Sequence, residues 1–103
     1  MREPKGRWYV AQTQPQAEFR AVANLERQGF ETYLPRYLKR RRHARRIETI
    51  KAPLFPRYVF VRVDIASQRW RCINSTSGVS RLVCNGEEPA PVGDEIVAGL
   101  RRR

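Results

Sequence analysis

Hydrophobic and polar residues in the first third of the chain follow a strand pattern and then a helix pattern. Residues 7–13 are aromatic and β-branched and end at a polar segment with a proline, which predicts a first strand. Thr13 and Gln16 have the spacing of a capping box, and Pro15 falls in the first predicted helical turn. Apolar residues then recur at helical spacing, at Ala17, Ala21, Val22 and Leu25. With Gly29 as a C-terminal cap, the pattern predicts a helix of about four turns.

The middle of the chain consists of strand-like segments around a basic stretch. Residues 30–34, closed by a proline, predict a second strand. The basic stretch that follows leads into residues 47–51, which have a strand's composition, so we expect a long hairpin with arginines around its tip. The clearest strand is residues 57–63, where alternation places Val59, Val61 and Val63 on one face and Tyr58, Phe60 and Arg62 on the other.

The last third of the chain predicts two more helices. Asp64 is a suitable cap for a helix over residues 65–73. A polar turn, a last strand, a loop and a final helix follow, over residues 74–78, 79–84, 85–89 and from 93 onward. The order of elements predicts an α+β fold, with an antiparallel sheet of about four strands flanked by three helices and a basic β-hairpin at about residues 36–51.

Charge is concentrated in two places. The 103 residues carry 21 Lys and Arg against 10 Asp and Glu, a net charge of +11. Seven of the basic residues lie within residues 36–46, where there is no acid, and three more form residues 101–103. Without those ten, 11 basic residues face 10 acidic ones, so the body of the single expected domain is close to neutral. A polyanionic partner is therefore expected at the clusters.

The residues that most enzymes and metal sites need are scarce. The only histidine, His43, lies inside the arginine run without a neighbouring nucleophile. Cys72 and Cys84 are too few for a structural zinc site and are expected to be reduced thiols. No catalysis, metal or cofactor is expected. The chain has no apolar run long enough for a membrane span and no signal-peptide pattern, so a cytoplasmic protein is expected.

Two features have alternative interpretations. Tyr58 and Phe60 are core residues if helices cover both faces of the sheet, or they line a depression that receives a partner's apolar side chains. The arginine run is a solvated tip, or it binds phosphates. If it neutralises about four phosphates, the log–log salt slope of binding is near −4.

Five segments resemble the N-terminal (NGN) domain of the NusG/RfaH family of transcription elongation and antitermination factors: residues 8–10, 29–35, 53–61, 73–79 and 89–92. The block at residues 55–61 is the most specific, and residues 73–79 look closer to RfaH-like specialised paralogues. The resemblance implies an NGN domain of α-β plait type over residues 1–100, with residues 101–103 starting a linker. The family's C-terminal KOW domain is absent from this chain, which is either an excised domain or naturally short.

In this family the domain binds bacterial RNA polymerase and has no catalysis of its own. The resemblance implies an apolar depression for the β′ clamp helices, formed by Tyr9, Leu54, Phe55, Tyr58 and Phe60. It also implies a β-subunit contact at Arg69, Trp70, Arg71 and Cys72. Bridging the two subunits across the DNA cleft holds the clamp closed and suppresses pausing.

Nucleic-acid contacts are expected at two further places. Arg20, Asn24 and Arg27 match positions where RfaH-like proteins read a flipped non-template DNA base, although Gln14 and Pro15 stand where basic residues are usual. The hairpin is expected to contact non-template or upstream DNA through Lys39, Arg40, Arg41, Arg42, Arg45 and Arg46.

The expected partners are therefore RNA polymerase and DNA, bound by a monomer. Ribosomal protein or Rho is expected only through the missing C-terminal domain. Two alternatives remain: a stand-alone RNA-binding α+β module whose sheet aromatics stack bases, and a ribosome-associated basic protein.

Overall fold

The fold is based on a sheet of four antiparallel strands. The computed structural model describes residues 6–102; residues 1–5, at the start of the predicted domain, and Arg103, at the end of the terminal arginine cluster, lie outside the described residues. Strands β1 to β8 are Arg7–Thr13, Glu31–Tyr33, Arg36–His43, Arg46–Pro53, Tyr58–Val63, Val79–Leu82, Cys84–Asn85 and Glu88–Pro89. The helices are α1 at Glu18–Arg27, a 3₁₀ helix at Trp70–Ser75 and α2 at Asp94–Arg101. Within residues 6–102, no helix has both the length and the apolar character that crossing a membrane requires.

The four-stranded sheet has the order β2-β5-β1-β6, and each of its faces has its own core. β1 pairs with β5 so that Tyr9 lies opposite Val61 and Val10 lies opposite Phe60. Tyr9 and Val61 pack on one face, in a core to which α1 and the 3₁₀ helix contribute. On the other face Phe60 packs with Trp8 and with α2. Successive side chains along each strand point to opposite faces, as the pleat of a strand requires.

This architecture confirms the predicted α+β fold. The predicted strands recur at β1, β2, β5 and β6, and the basic stretch forms the β3–β4 hairpin. Val59, Val61 and Val63, which alternation places on one face of β5, are all buried. Gly29 follows the end of α1 with a φ of +93°, the left-handed conformation expected of a C-terminal glycine.

The start of α1 differs from the prediction. Thr13 is the last residue of β1, and its N–H donates to the carbonyl of Arg57 at 2.8 Å. Because the sheet holds Thr13, the capping-box prediction is wrong. Residues 15–16 form a turn, and α1 starts at Glu18 with Ala17 as its N-cap residue. The helix has 10 residues, which is about three turns instead of four.

The helix predicted over residues 65–73 is present only in part, because the segment after β5 forms a turn and then a 3₁₀ helix at Trp70–Ser75. Asp64 caps the turn, since its Oδ2 accepts a hydrogen bond from the Ser67 hydroxyl at 2.8 Å. Trp70 and Ile73, which pack in the core, are three positions apart. That spacing fits the three residues per turn of a 3₁₀ helix, and the polar residues before Trp70 supply no stripe for a longer α-helix.

Residues 85–89, predicted as a loop, include a second short ribbon. β7 pairs with β8 through Cys84 opposite Pro89 and Asn85 opposite Glu88. Gly86 makes the tight reversal possible with a φ of +69°. The Asn-Gly dipeptide at residues 85–86 is a typical hairpin signal, but the two-residue strands beside it are too short to show alternation.

Cation–aromatic contacts fasten α2 to the sheet. The guanidinium of Arg101, the last residue of α2, lies 5.2 Å from the ring centroid of Trp8 and 4.9 Å from that of Tyr33. It also pairs with the Glu31 carboxylate at 3.6 Å. Arg62 contacts the same Trp8 ring at 4.8 Å and the same carboxylate at 3.7 Å. The Arg101 side chain therefore links the end of α2 to the sheet while it stays exposed.

Replacing Gly78 with alanine is expected to destabilise the fold by about 3 kcal/mol, because a positive φ and a steric clash act together. Gly78 has a φ of +95°, and a Cβ there would lie 2.8 Å from the backbone nitrogen of Ala21 in α1. Gly29→Ala is the matched control, because its φ is also positive but an added Cβ meets none of the described atoms within 4 Å. That control is expected to cost about 1–2 kcal/mol. Urea denaturation measures both losses in the free energy of unfolding. Equal losses for the two variants would contradict the close approach of Gly78 to α1.

Candidate functional site

A tight turn joins the basic hairpin to β5. In residues 55–58 the N–H of Tyr58 donates to the carbonyl of Phe55 at 3.1 Å. Pro56 occupies the second position, and Arg57 occupies the third with a φ of +72°. A proline followed by a positive φ is the pattern of a type II turn, in which glycine is the usual third residue. Arg57 therefore holds a backbone conformation that costs free energy.

Three hydrogen bonds offset this cost. The N–H of Arg57 donates to Oε2 of the buried Glu18 at 2.8 Å. The carbonyl of Arg57 accepts from the N–H of Thr13 at 2.8 Å, and its Nε donates to the carbonyl of Thr13 at 3.3 Å. The turn is thus held by α1 and by the end of β1. These contacts fix the positions of the two aromatic rings of the turn, those of Phe55 and Tyr58.

The two rings border an apolar hollow, which we call the aromatic depression. It has a volume of about 200 Å³ and is lined by Val10, Phe55, Tyr58, Val59 and Phe60. The Phe60 ring stacks on Tyr33 at 6.1 Å between centroids and meets Phe55 edge to face at 6.4 Å. Phe60 is only 9% exposed, whereas Phe55 and Tyr58 are each 41% exposed. All five lining residues are uncharged.

The extent of α2 decides which of these rings are covered. α2 buries Val97 against Trp8 and Phe60, at one end of this face of the sheet. Phe55 and Tyr58 stay exposed at the other end. Tyr58 and Phe60 were interpreted either as core residues or as the lining of a depression, and each interpretation applies to one of them. Phe60 is a core residue, and Tyr58 faces a depression with an open side.

Two residues predicted for the depression lie elsewhere. Tyr9 is buried on the opposite face of the sheet, among the residues that pack with α1, so its placement beside the depression is wrong. The alternation of β1 sends Val10 to the depression in its place. Leu54 is half-buried, and its N–H donates to the carbonyl of Pro35 at 2.8 Å, at the base of the hairpin. Val10 was missed: alternation places it on the face of β1 opposite Tyr9, but its pairing with Phe60 depends on the β1–β5 register, which no local pattern shows.

A second hollow lies at the start of the 3₁₀ helix. Its volume is about 320 Å³, and its lining brings together the four predicted residues with two neighbours: Ile65, Gln68, Arg69, Trp70, Arg71 and Cys72. The guanidinium of Arg71 lies 4.6 Å from the Trp70 ring centroid. Trp70 packs against the core that contains Tyr9, so this hollow and the aromatic depression belong to opposite faces of the sheet. Ile65, 39% exposed, was not predicted.

The β3–β4 hairpin carries the main positive charge. Every residue of β3 is exposed, and the reversal at Ala44 and Arg45 has φ values of +48° and +67°. Two positive φ values are typical of a tight two-residue hairpin turn. The predicted cations lie in the middle and second half of β3, in the turn and at the start of β4: Lys39, Arg40, Arg41, Arg42, Arg45 and Arg46. Arg41 pairs with Glu48 across the strands at 3.4 Å.

The three residues predicted on α1 share one side of the helix but differ in their contacts. Arg20 and Arg27 are exposed. The side-chain amide of Asn24 donates to the carbonyl of Ser77 at 3.2 Å, which ties α1 to the loop before β6. Asn24 therefore has a structural contact of its own, and the two arginines are the available cations.

Comparison with known proteins adds independent information. A family model described as "NusG: Transcription termination factor nusG" matches residues 6–101. The "Transcription termination/antitermination protein NusG" of Streptomyces galbus is 31% identical over 110 residues, which cover 97% of this chain and 36% of that protein. The protein of the same name from Thermus thermophilus is 26% identical over 105 residues, covering 87% of this chain and 57% of that protein.

A solved structure described as "Domain interaction in Thermotoga maritima NusG" is similar in fold, with a TM-score of 0.67 and 25% identity. The similarity covers 95% of this chain and 56% of that one. The chain thus spans about a third of the length of the Streptomyces relative and little more than half of the other two.

Removing the Glu18 carboxylate is expected to loosen the turn that positions Phe55 and Tyr58. Glu18→Ala leaves the Arg57 N–H without its charged acceptor, and we expect a loss of about 1.5–3 kcal/mol in the free energy of unfolding. Glu18→Gln keeps an acceptor oxygen and is expected to lose less. Urea denaturation of the two variants measures the difference. A Glu18→Ala variant as stable as the unchanged chain would show that this bond does not hold the turn.

Proposed function

The chain belongs to the NusG family of transcription termination factors, and on that premise we propose that it is a domain that binds RNA polymerase and suppresses pausing. In this proposal the aromatic depression receives the β′ clamp helices, the hollow at the 3₁₀ helix meets the β subunit, and the hairpin contacts DNA. The relatives are named for transcription termination and antitermination.

The observation that carries the proposal is the aromatic depression itself. Its lining is apolar, and two aromatic rings at its border are half-exposed in a protein whose other large rings on this face are packed. A shallow apolar hollow with a rigid aromatic border suits the apolar side of an amphipathic helix. The turn at residues 55–58 holds both rings in place before a partner arrives, which reduces the entropy lost on binding.

The placement of the second hollow supports contact with two subunits at once. The aromatic depression and the hollow that contains Trp70 lie on opposite faces of one rigid sheet. A domain with this arrangement has two separate surfaces, so it is able to hold one partner on each side. Arg69 and Arg71 give the second surface positive charge, and the stacking of Arg71 on Trp70 fixes part of its shape.

The hairpin supports a DNA contact near the polymerase. Its cations are exposed and stand apart from the nearly neutral body of the domain. Arginine and lysine on an exposed ribbon bind phosphates and position a protein without reading the sequence. Arg20 and Arg27, exposed on α1, extend the same proposal to a second DNA contact.

The alternative of base stacking on the sheet aromatics has less support. Single-stranded nucleic acid binds to aromatic rings that lie within a positively charged groove. The residues that line the aromatic depression carry no charge, and the hairpin's cations belong to a separate ribbon. The arrangement therefore favours an apolar protein partner.

Truncation of the exposed rings is expected to weaken binding to isolated β′ clamp helices. Phe55→Ala and Tyr58→Ala should each raise the dissociation constant by about 30-fold, which corresponds to the ~2 kcal/mol of an interface hot spot. Both rings are exposed, so the variants should fold normally. Phe60 is a poorer probe, because truncating a buried phenylalanine costs about 3–5 kcal/mol of stability. A pull-down followed by titration measures the affinities.

Phe19→Ala is the matched control, because Phe19 is an exposed ring on α1 outside the aromatic depression. It should leave the affinity unchanged. Failure of the unaltered chain to bind the clamp helices at micromolar concentration would overturn the proposal. If Phe55→Ala and Tyr58→Ala instead weakened binding of single-stranded RNA, the RNA-binding alternative would replace it.

The second hollow is expected to matter for pausing and not for clamp-helix binding. The double variant Arg69→Ala with Arg71→Ala removes two exposed cations and leaves the aromatic depression on the opposite face intact. It should bind the clamp helices with normal affinity but fail to suppress pausing in a transcription assay, whereas Phe55→Ala should lose both. Normal pause suppression by the double variant would contradict the β-subunit contact.

A further inference from the structure

The β3–β4 hairpin has two faces of different composition. Residues directly opposite each other in antiparallel strands share a face, and the register pairs Arg40 with Thr49 and Arg41 with Glu48. Even-numbered residues of β3 therefore share a face with odd-numbered residues of β4. We call this the open face; its charged and apolar residues are Arg36, Leu38, Arg40, Arg42, Ile47 and Lys51. The other side, which we call the mixed face, has Tyr37, Lys39, Arg41, Arg46 and Glu48 among its residues.

The two faces differ in charge. The open face carries four cations, and within residues 36–53 no acid shares that face. On the mixed face the Glu48 carboxylate lies 3.4 Å from Nη2 of Arg41, so one of its cations already has a counter-charge. A polyanion therefore gains more from contact with the open face than with the mixed face.

The two faces also differ in exposure. Between the ends of β4 the residues of the open face, Ile47, Thr49 and Lys51, are exposed, whereas Glu48, Ile50 and Ala52 on the mixed face are half-buried. The apolar residues of the open face are among the most exposed in the protein, with Leu38 at 69% and Ile47 at 57%. Exposed aliphatic side chains between arginines leave apolar surface available to a ligand that also presents phosphates.

We propose that the open face enters the major groove of duplex DNA while the mixed face stays outside it. This inference rests on the DNA contact of the hairpin proposed above and specifies the ligand and the face. Arg36, Arg40 and Arg42 meet phosphates at the borders of the groove. Leu38 and Ile47 face the base edges, where thymine presents a methyl group.

The dimensions and composition of the ribbon favour a duplex over a single strand. Eight residues per strand span about 26 Å, and the major groove of B-form DNA, about 12 Å wide, admits a two-stranded ribbon. Single strands are bound mainly by stacking on aromatic rings. Within residues 36–53 both residues with an aromatic ring, Tyr37 and His43, lie on the mixed face.

Two triple variants with equal changes in charge test the inference. Arg36→Ser, Arg40→Ser and Arg42→Ser remove three cations from the open face. Lys39→Ser, Arg41→Ser and Arg46→Ser remove three from the mixed face. Binding of the full chain to a labelled 20-base-pair DNA duplex is measured by fluorescence anisotropy at several salt concentrations. Equal urea midpoints for the variants check that both fold.

The open-face variant should bind the duplex at least about tenfold more weakly, with a log–log salt slope shallower by up to about 2.7, since each phosphate contact contributes roughly 0.9. The mixed-face variant should lose less than about threefold in affinity for the duplex. Duplex RNA of the same sequence should bind more weakly than DNA, because its major groove is too narrow for side chains to enter.

Equal losses for the two variants would overturn the assignment of faces and leave the hairpin's DNA contact standing. No loss for either variant would overturn both the inference and that contact. Duplex RNA bound as tightly as DNA would overturn insertion into the major groove. Neither variant should alter clamp-helix affinity, so the outcome is separate from the test of the aromatic depression.

Discussion

The pairing of β1 with β5 is the constraint on which the rest of the structure depends. Its register places Val10 opposite Phe60 and Tyr9 opposite Val61. One face of the sheet thereby receives the core shared with α1, and the other receives Trp8, Phe60 and the aromatic depression. A slip of one residue in either strand would send its side chains to the wrong face, because strand alternation has a period of two. The core and the proposed binding surface are thus set by the same hydrogen-bonded ladder.

Contacts from both layers around the sheet shape the site. From one side, Glu18 of α1 holds Arg57 in its positive-φ conformation and so positions the rings of the turn. From the other side, α2 packs on Trp8, where Arg101 and Glu31 fasten it, and leaves the other end of the face uncovered. The depression exists because one layer supports its border while the other stops short of it.

Positive charge has two different uses in this protein. Arg62 and Arg101 lie against Trp8 and pair with Glu31, so they contribute to the packing of the domain. The cations of the hairpin are exposed on a ribbon outside the four-stranded sheet. Exposed strand edges are prone to pair with other chains, and the like charges along β3 oppose such pairing. Basic residues thus serve two ends, contacts within the domain and an exposed positive ribbon that we propose binds a polyanion.

The order of the main elements, the alternation of β5 and the position of the charged hairpin follow from the sequence alone, because local patterns of period two and clustered charge carry that information. The family resemblance placed Tyr9 beside the depression, and the spacing of Thr13 and Gln16 placed Thr13 in a helix cap. Both are wrong, because neither the β1–β5 register nor the bond from Thr13 to Arg57 is visible in a local pattern. The exposure of Phe55 and Tyr58 and the two unlike faces of the hairpin were decided only by the tertiary structure. The exposure of the two rings depends on how far α2 extends, a contact between distant parts of the chain, and the two faces of the hairpin depend on the register in which β3 pairs with β4.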